Sequence, residues 1–362
     1  MEQTKSKSTT KVFVAMSGGV DSSVSAALLK QEGYDVTGVF MKNWSGDDFG
    51  IQADCPWEQD QKDVENVCNQ LGIPFRSYNF EKEYRDKVVA YFFDEIRAGR
   101  TPNPDVMCNK EIKFGIFLER ALAMGADMIA TGHYARVEYE PQADSFSLLK
   151  GVDNNKDQSY FLHQIGQQQL SRTFFPVGAL PKPEVRRLAE SFGLSVAKKP
   201  DSQGICFIGE INVAQFLRAN IQVHQGDIID KDNGVVVGKH DGIEFYTIGQ
   251  REGLHLGGAK EPYFVVEKDK LHNILYVAMA SDNKFLFRTE VSFTDLHWID
   301  PKIDLTNLKI EAAIRYRQKP ALGKLDLNQM KFVFDEPQRA VAEGQSIVFY
   351  CGEECLGGAV IV

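Results

Sequence analysis

Seven residues, Ser17-Gly18-Gly19-Val20-Asp21-Ser22-Ser23, constrain this 362-residue chain more than any other stretch. Before them, Lys11-Val12-Phe13-Val14-Ala15-Met16 is short, apolar and rich in β-branched residues, and reads as a buried strand. After them, Val24 to Glu32 reads as a helix that Gly33 closes from the C′ position. A strand that turns directly into a helix needs a permissive backbone. Two glycines supply it and let several N–H groups converge on one anion at the helix N-terminus. Ser17, Ser22 and Ser23 add hydroxyl donors. The segment is a phosphate cradle without the lysine of a Walker A loop, which disfavours a kinase or GTPase. The competing reading is a glycine-rich turn that binds nothing.

The string resembles the PP-loop of the ATP pyrophosphatase superfamily, whose members split ATP into AMP and pyrophosphate and use AMP to activate a carbonyl oxygen. That resemblance implies ATP as the bound nucleotide, with Mg²⁺ neutralising its phosphates.

A chain of 362 residues is too long for one compact core and is expected to form two or three domains. Its 43% hydrophobic and 25% charged residues suit an ordinary soluble globular protein. No apolar stretch approaches a membrane span and no signal peptide is visible, while Met1 to Thr10 reads as a frayed polar terminus. A net charge of −9 argues against indiscriminate coating of nucleic acid, yet leaves room for one folded RNA on a local basic surface. Lys182, Arg186, Arg187, Lys198 and Lys199, against Glu184 and Glu190, form one candidate surface. A solvated helix face is the simpler reading of the same run. Six cysteines point to a reducing, cytoplasmic setting rather than a disulfide scaffold. With no CxxC and no Cys/His cluster at zinc spacing, no metal-binding site is expected. Cys351 and Cys355 read as sheet residues, and Cys68, on an apolar helix face, as core.

The first half alternates strand and helix signals. Strands are expected at Val36–Met41, Phe75–Asn79 and Asp127–Thr131, and helices at Glu58–Leu71, Lys82–Arg97 and Lys110–Met124, with a polar tryptophan-bearing loop over Asn43–Pro56. This alternation means a Rossmann-like parallel sheet with helices on both faces. Ligands of such sheets lie beyond the carboxyl ends of the strands, where Ser17, Met41 and Gly132 stand. From about Gly226 the texture changes to short strands and glycine turns, beginning with two strands around Asn233-Gly234. Further alternating segments, Lys309–Tyr316, Lys331–Phe334 and Ser346–Tyr350, follow. The expected division is a catalytic α/β domain at 1–210, a small β-rich domain at 211–280 and a β-barrel-like domain at 281–362.

Asn103-Pro104-Asp105-Val106-Met107-Cys108-Asn109 opens a helix after a stiff, proline-bearing turn. If the turn is helical from Asp105, then Asp105 and Cys108 share a face. A carboxylate beside a thiol suits chemistry in which protons move while sulfur attacks, and Lys110, Lys113 and the helix N-terminus favour a thiolate. An N-cap aspartate followed by a buried cysteine remains the alternative. Cys206 follows the turn residues Pro200 to Gly204, and on local grounds is as easily an ordinary half-buried cysteine.

Taken in order, Ser17–Ser23, Asn103–Cys108, Thr131–Ala135, Lys156–Tyr160, Asp201–Cys206 and Arg315–Gln318 resemble the bacterial-type tRNA-specific 2-thiouridylases. The likeness runs from Lys11 to the C-terminus, with no departure at a motif position. It implies adenylation of O2 of the wobble uridine, with Ala15, Met16, the Ser17–Ser23 loop, Met41 and Gly132 holding ATP. It implies a persulfide on Cys206, received from a cysteine desulfurase or sulfur-relay protein. Cys108 is then the nucleophile that releases or passes that sulfur, leaving a Cys108–Cys206 disulfide. Asp105 is the acid/base candidate. Asn103, Pro104 and Asp105 would face the target base; Lys156, Asp157, Gln158, His133, Arg315, Tyr316 and Gln345 would contact tRNA. His133 is equally readable as a structural residue at a sheet end, and Arg315-Tyr316-Arg317 as a β-edge. The alternatives are another AMP-forming PP-loop ligase or amidotransferase acting on a small molecule, which needs no cysteine pair, and a non-catalytic RNA-binding clamp.

Overall fold

The computed structural model describes residues 6–45, 57–201, 217–218, 220–258 and 260–362. The chain opens with β1 (Lys11–Met16), α1 (Val20–Gln31), β2 (Asp35–Lys42), α2 (Trp57–Leu71) and β3 (Phe75–Asn79). Two long helical runs follow. The first is α3 (Glu81–Tyr84), a wide π-type stretch Arg85–Val89, and α4 (Ala90–Arg97). The second is α5 (Pro104–Met107), a π-type stretch Cys108–Phe117, and α6 (Leu118–Ala123). Next come β4 (Met128–Thr131), β5 (Ala135–Glu140), β6 (Ser145–Lys150), α7 (Gln167–Leu170), β7 (Thr173–Phe174) and α8 (Lys182–Ser191).

Strands β3-β2-β1-β4-β7 form one sheet in that order, and every neighbouring pair is parallel. The Rossmann-like expectation holds. β1 is buried from Val12 to Met16 because helices cover both faces, so its apolar run has no polar alternation. Its side chains still divide by the two-residue period: Val12, Val14 and Met16 face a core with Val24, Leu29 and Cys68, while Phe13 and Ala15 face Phe92, Phe117 and Ile129. Cys68 is fully buried, its sulfur 3.9 Å from Met16 Sδ, and burial pushes its thiol up to about 11. That is an unreactive packing cysteine, as expected.

The middle region holds β8 (Gly226–Asp230), β9 (Val236–His240), β10 (Tyr263–Asp269) and β11 (Ile274–Met279), in the order β10-β11-β8-β9. Asn233-Gly234 makes the turn between β8 and β9, with Gly234 at φ +73°. The C-terminal strands are β12 (Phe287–Trp298), β13 (Glu311–Ala313), β14 (Ala321–Asp326), β15 (Lys331–Arg339), β16 (Ser346–Cys351) and β17 (Glu354–Ile361). They run β12-β15-β14-β13-β16-β17, and β17 pairs back with β12, closing a six-stranded barrel around Phe293, Phe332, Ile347 and Phe349. Closure removes the free edges that an open sheet would expose.

One pairing had no local signal in the sequence. The β5–β6 hairpin leaves the first domain and adds to the barrel, with Leu149 opposite Glu354 and Leu148 opposite Cys355. Ala313, Val348, Tyr350 and Cys355 therefore belong to the same buried cluster as Phe13 and Phe92. The first domain and the barrel share a core.

His163 sits in this seam, 1% exposed, with its ring against the bare Cα of Gly358 and Nδ1 2.8 Å from the Tyr160 carbonyl. Burial holds its pKa down at about 4. The unfolded chain takes the proton near 6.5, whereas the folded chain does not until about 4. This contribution is present at neutral pH and is lost as pH falls through that window. Urea unfolding at pH 7.5, 5.5 and 4.5 should show falling stability, and His163→Gln should flatten the fall. An unchanged slope in the variant would assign the effect to other groups.

Candidate active site

At the end of β1 the chain turns through Ser17, Gly18 and Gly19 straight into α1. Gly18 has φ +75°, and a Cβ there would lie 2.8 Å from the backbone oxygen of Asp60, so the turn accepts only glycine. Gly19 is the N-cap and brings no side chain over the first turn, leaving the helix N–H groups to face outward. The hydroxyls divide their work. Ser23 Oγ donates to the Gly19 carbonyl at 2.8 Å, and Ser22 Oγ accepts the Ser17 N–H at 3.3 Å, so both brace the loop from inside. Ser17 is on the exposed side. Gly132, just past β4, lies so close that a Cβ would meet Ser22 N at 2.6 Å. Ala15 and Met16 turn their side chains into the two cores, and Met41 near the end of β2 packs on one of them.

Asp21 anchors a network of charges beside the loop. Its Oδ1 accepts from the Tyr134 hydroxyl at 2.8 Å and from Lys182 Nζ at 2.6 Å. Lys182 opens α8 and also lies 2.8 Å from Asp201, which receives Lys156 at 2.6 Å and Arg186 at 2.7 Å. Burial alone would raise the Asp201 carboxyl, but the hydrogen bonds from Lys156 and Lys182 prevail and hold it at about 2. Lys199 binds Asp60 and Asp63, and Arg187 pairs with Glu184. The Lys182–Lys199 run is thus split: Arg187 and Lys198 stay solvated, as a helix face would, and the others form no open basic surface. Lys182, Arg186 and Lys199 turn onto carboxylates beside the PP-loop.

The loop before α5 is clamped by the barrel. Thr101 N–H donates to the Glu343 carbonyl at 2.8 Å, and Gln345 Nε2 donates to the carbonyls of Thr101 and Pro102 at 3.0 Å each. Asn103 then caps α5, its Oδ1 accepting the Val106 N–H at 3.3 Å, with Pro104 at the first helical position. The cap is asparagine, not aspartate. Asp105 and Cys108 follow three apart along the helical run; Cys108 is 1% exposed, and Asp105 Oδ1 is buried with no hydrogen-bond partner among the described residues. Gln345→Ala removes both clamping bonds and is expected to lower turnover several-fold while leaving ligand affinity at the Ser17–Ser23 loop unchanged. Steady-state kinetics with calorimetric titration checks the split.

Lys113 links this helical run to the end of β4, its Nζ 3.4 Å from Nε2 of His133, whose Nδ1 lies 2.7 Å from Thr131 Oγ1. His133 is 7% exposed, between Phe114 and Phe175. Burial first, and Lys113 second, hold its pKa well below 6.5, so the ring is neutral. That geometry suits a sheet-end support, one of the two readings open to His133. Asp157 accepts from the N–H groups of Gly151 and Ser159, and Gln158 Oε1 accepts the Tyr134 N–H at 3.0 Å. The pair staples the turn after β6. Cys206 lies outside the described residues.

Family models match the chain in three consecutive pieces: a tRNA methyl transferase HUP domain over 10–210, a tRNA methyl transferase PRC-barrel domain over 214–279, and an aminomethyltransferase beta-barrel domain over 288–361. Whole proteins match as well. The tRNA-specific 2-thiouridylase MnmA of Bacillus cytotoxicus is 53% identical over 355 residues, covering 97% of this chain and 94% of its own, and that of Bacillus cereus gives the same values. The chain belongs to the tRNA-specific 2-thiouridylase family. The likeness read from six short segments therefore extends across all of its domains. A solved 4-thiouridine synthetase–RNA complex with bound ATP overlaps 56% of this chain and 46% of its own, at 16% identity and a TM-score of 0.35, too loosely to bear on function.

Within this family member one expected surface is corrected. β13 ends at Ala313, and Arg315-Tyr316-Arg317 forms a turn, not a strand with alternating side chains. Arg317 takes φ +62°, and Gln318 Oε1 accepts the Ile314 N–H at 3.1 Å, which ends the ladder. Arg315 points inward and donates to the carbonyls of Arg339 and Ala340. Tyr316 packs on Phe161 with ring centroids 4.5 Å apart, and Arg317 stays exposed. Arg315→Ala leaves two carbonyls short of a donor and should cost about 1–3 kcal/mol of stability. Arg317→Ala should stay within about 0.5 kcal/mol and is the substitution expected to weaken tRNA. Urea melts and filter binding on both variants separate the two effects.

Proposed function

We propose that the chain thiolates C2 of the wobble uridine in particular tRNAs, as a tRNA-uridine 2-sulfurtransferase that forms AMP and pyrophosphate. The observation that carries this is 53% identity to tRNA-specific 2-thiouridylases over nearly the whole of both chains. The PP-loop at the carboxyl end of a parallel sheet adds support, because triphosphate recognition needs a glycine turn at a helix N-terminus. We keep the division into a catalytic domain at 1–210, a small β-rich domain at 211–280 and a barrel at 281–362, with β5–β6 lent to the last.

The first step joins O2 of the uridine to the α-phosphorus and expels pyrophosphate, so that C2 later loses AMP instead of an oxide. Ser17 and the N–H groups of the Gly18–Ser22 turn bind the phosphates. Mg²⁺ would ride on the phosphates and ask for only one or two carboxylates. Asp21 fits that need, and no group of three or more candidate ligands occurs among the described residues. Cys206 takes the sulfur as a persulfide from a cysteine desulfurase or a sulfur-relay protein. The Cys108 thiolate attacks the inner sulfur of that persulfide. The S–S bond breaks, hydrosulfide leaves toward C2, and the Cys108–Cys206 disulfide remains for a thiol reductant to reset. Asp105, with an unengaged buried oxygen, takes the Cys108 proton. The uridine must leave the anticodon stack to reach Asn103–Asp105. Among the described residues no helix is long and apolar enough to cross a membrane; a reductant-dependent cycle fits the cytoplasm. The small-molecule ligase alternative has no observation in its favour.

ATP labelled at the α- and γ-phosphates, incubated with substrate tRNA, should yield AMP and pyrophosphate, and digested tRNA should contain 2-thiouridine when a persulfide donor is present. ADP and orthophosphate as products would overturn the proposal.

A further inference from the structure

We propose that the glycine-rich arm Gln250–Gly258 of the middle domain is a second docking surface for tRNA, with Arg251 taking a backbone phosphate. The proposal rests on the tRNA reading above and concerns a different domain from Asn103–Cys108. The arm is rooted where all three domains meet. Thr247 Oγ1 lies 3.2 Å from Thr101 Oγ1, on the loop before Asn103. Gly249 donates its N–H to the Val265 carbonyl at 2.7 Å, and a Cβ on Gly249 would lie 2.5 Å from Cβ of Ala340, just past β15. The barrel therefore fixes where the arm begins. Gln250 Nε2 donates to the Glu252 carbonyl at 2.9 Å and holds the first bend. Beyond it, Leu254 is buried and Leu256 packs on the same middle-domain core, whereas Arg251, His255, Gly257 and Gly258 are exposed. Gly253, His255 and Gly258 take φ of +79°, +52° and +80°. An added Cβ at Gly257 or Gly258 would meet nothing within 4 Å. Left-handed residues set into a loop turn neighbouring N–H groups toward one side, a geometry that suits an anion.

Charge points the same way. The chain carries a net −9, and Arg97, Arg100, Arg136, Arg186, Arg187 and Arg218 each pair with a carboxylate. Arg251 has no partner among the described residues, and Glu252 beside it makes no ion pair. One exposed arginine decides nothing. At the root of the arm, however, guanidinium nitrogens of Arg315 and Arg339 each lie 3.9 Å from where a Cβ of Gly249 would stand. Arg315 donates to the carbonyls of Arg339 and Ala340, and Arg339 donates to the Ser281 carbonyl and lies over the Phe264 ring. None of these three arginines is neutralised by a carboxylate. On an acidic protein, such a run of uncompensated charge makes a local positive field that draws in a phosphodiester strand. The planar guanidinium matches phosphate oxygens two at a time, which a point charge does not. The Thr247–Thr101 contact places this field against the loop that leads to Asn103, so a strand held by the arm belongs to the RNA whose base is being modified.

Filter binding of full-length substrate tRNA over a series of salt concentrations tests the proposal. Arg251→Ala should weaken tRNA by about fivefold or more and lower the slope of log affinity against log salt by about one, the mark of one lost phosphate contact. Arg251→Lys, which keeps the charge, should retain most of both. The urea midpoint should not move in either variant, because the side chain is exposed and touches no neighbour. Phenylglyoxal, which modifies accessible guanidinium groups, gives a second measurement on the unmodified chain. Peptide mass spectrometry should find Arg251 modified in the free protein and protected by saturating tRNA. Parental affinity and salt slope in Arg251→Ala overturn the proposal, as does modification of Arg251 that bound tRNA does not diminish. Unchanged tRNA binding together with lost persulfide loading from a sulfur-donor protein also overturns it, and gives the arm to a protein partner. A parent protein that binds no tRNA removes the underlying reading itself, a failure seen before any substitution is made.

Discussion

Serine at Cys108 or Cys206 is expected to leave a protein that adenylates tRNA but cannot complete repeated thiolation. Each variant should fall on the order of 10³-fold or more, the scale on which removal of a covalent nucleophile acts. The two should fail differently. Cys206→Ser has no atom to receive sulfur and should carry no persulfide after incubation with a labelled donor. Cys108→Ser should accumulate the persulfide on Cys206, because nothing resolves it. Cys108 is buried, so Cys108→Ala is the companion variant that avoids a buried hydroxyl. Peptide mass spectrometry, with AMP formation and tRNA thiolation followed in the same samples, reads all three steps. Persulfide found only on Cys108, or full multiple-turnover activity in either variant, would overturn this division of labour. Cys68→Ala and Cys351→Ala are the controls and should stay active. Cys68 is held protonated by burial, and Cys351 ends a barrel strand.

Gly132→Ala is expected to lower ATP affinity by about 10- to 100-fold in a protein that still folds, the scale of a misplacement near 1 Å at a binding site. The three atoms that an added Cβ meets are Ser22 N at 2.6 Å, Asp21 C at 2.9 Å and Ser22 Cα at 3.0 Å. All three are backbone, so none can swing aside as a flexible side chain would. The first turn of α1 must move away from β4, and the N–H groups aimed at the phosphates move with it. Overpacking of this kind also costs about 1–3 kcal/mol. Calorimetric titration with ATP, alongside urea unfolding, separates the two losses. Normal ATP affinity in a folded Gly132→Ala protein would mean that the nucleotide does not lie over this end of the sheet.

The sequence was most informative where one local rule decided the outcome. A buried strand, two glycines and a helix specify the PP-loop turn with no help from distant residues, and parallel strands announce themselves by apolar runs such as Val12–Met16. It was least informative where the deciding partner was remote. Lys182 and Lys199 look like a basic surface because Asp21, Asp60 and Asp63 stand more than a hundred residues earlier. At Lys309–Tyr316 the inward alternation of Ile310, Ala312 and Ile314 is real, and all three are buried. The hydrogen-bond ladder nevertheless stops at Ala313, because Gln318 claims the Ile314 N–H. Burial periodicity outlasts the strand there. The resemblance offers Gln345 as a tRNA contact; its two bonds to the loop before Asn103 add a positioning role that no spacing could have indicated.

The loan of the β5–β6 hairpin to the barrel has a consequence for the order in which the chain matures on the ribosome. Ser147 and Glu354 meet through a 2.6 Å hydrogen bond, yet 207 positions separate them. During synthesis β6 waits with a bare edge, and the loop carrying Asn103 waits without Gln345, until nearly the last residue has emerged. An unpaired strand edge invites chaperones and proteases. A prematurely ended chain thus holds the Ser17–Ser23 turn in an unfinished fold that leaves the β6 edge open.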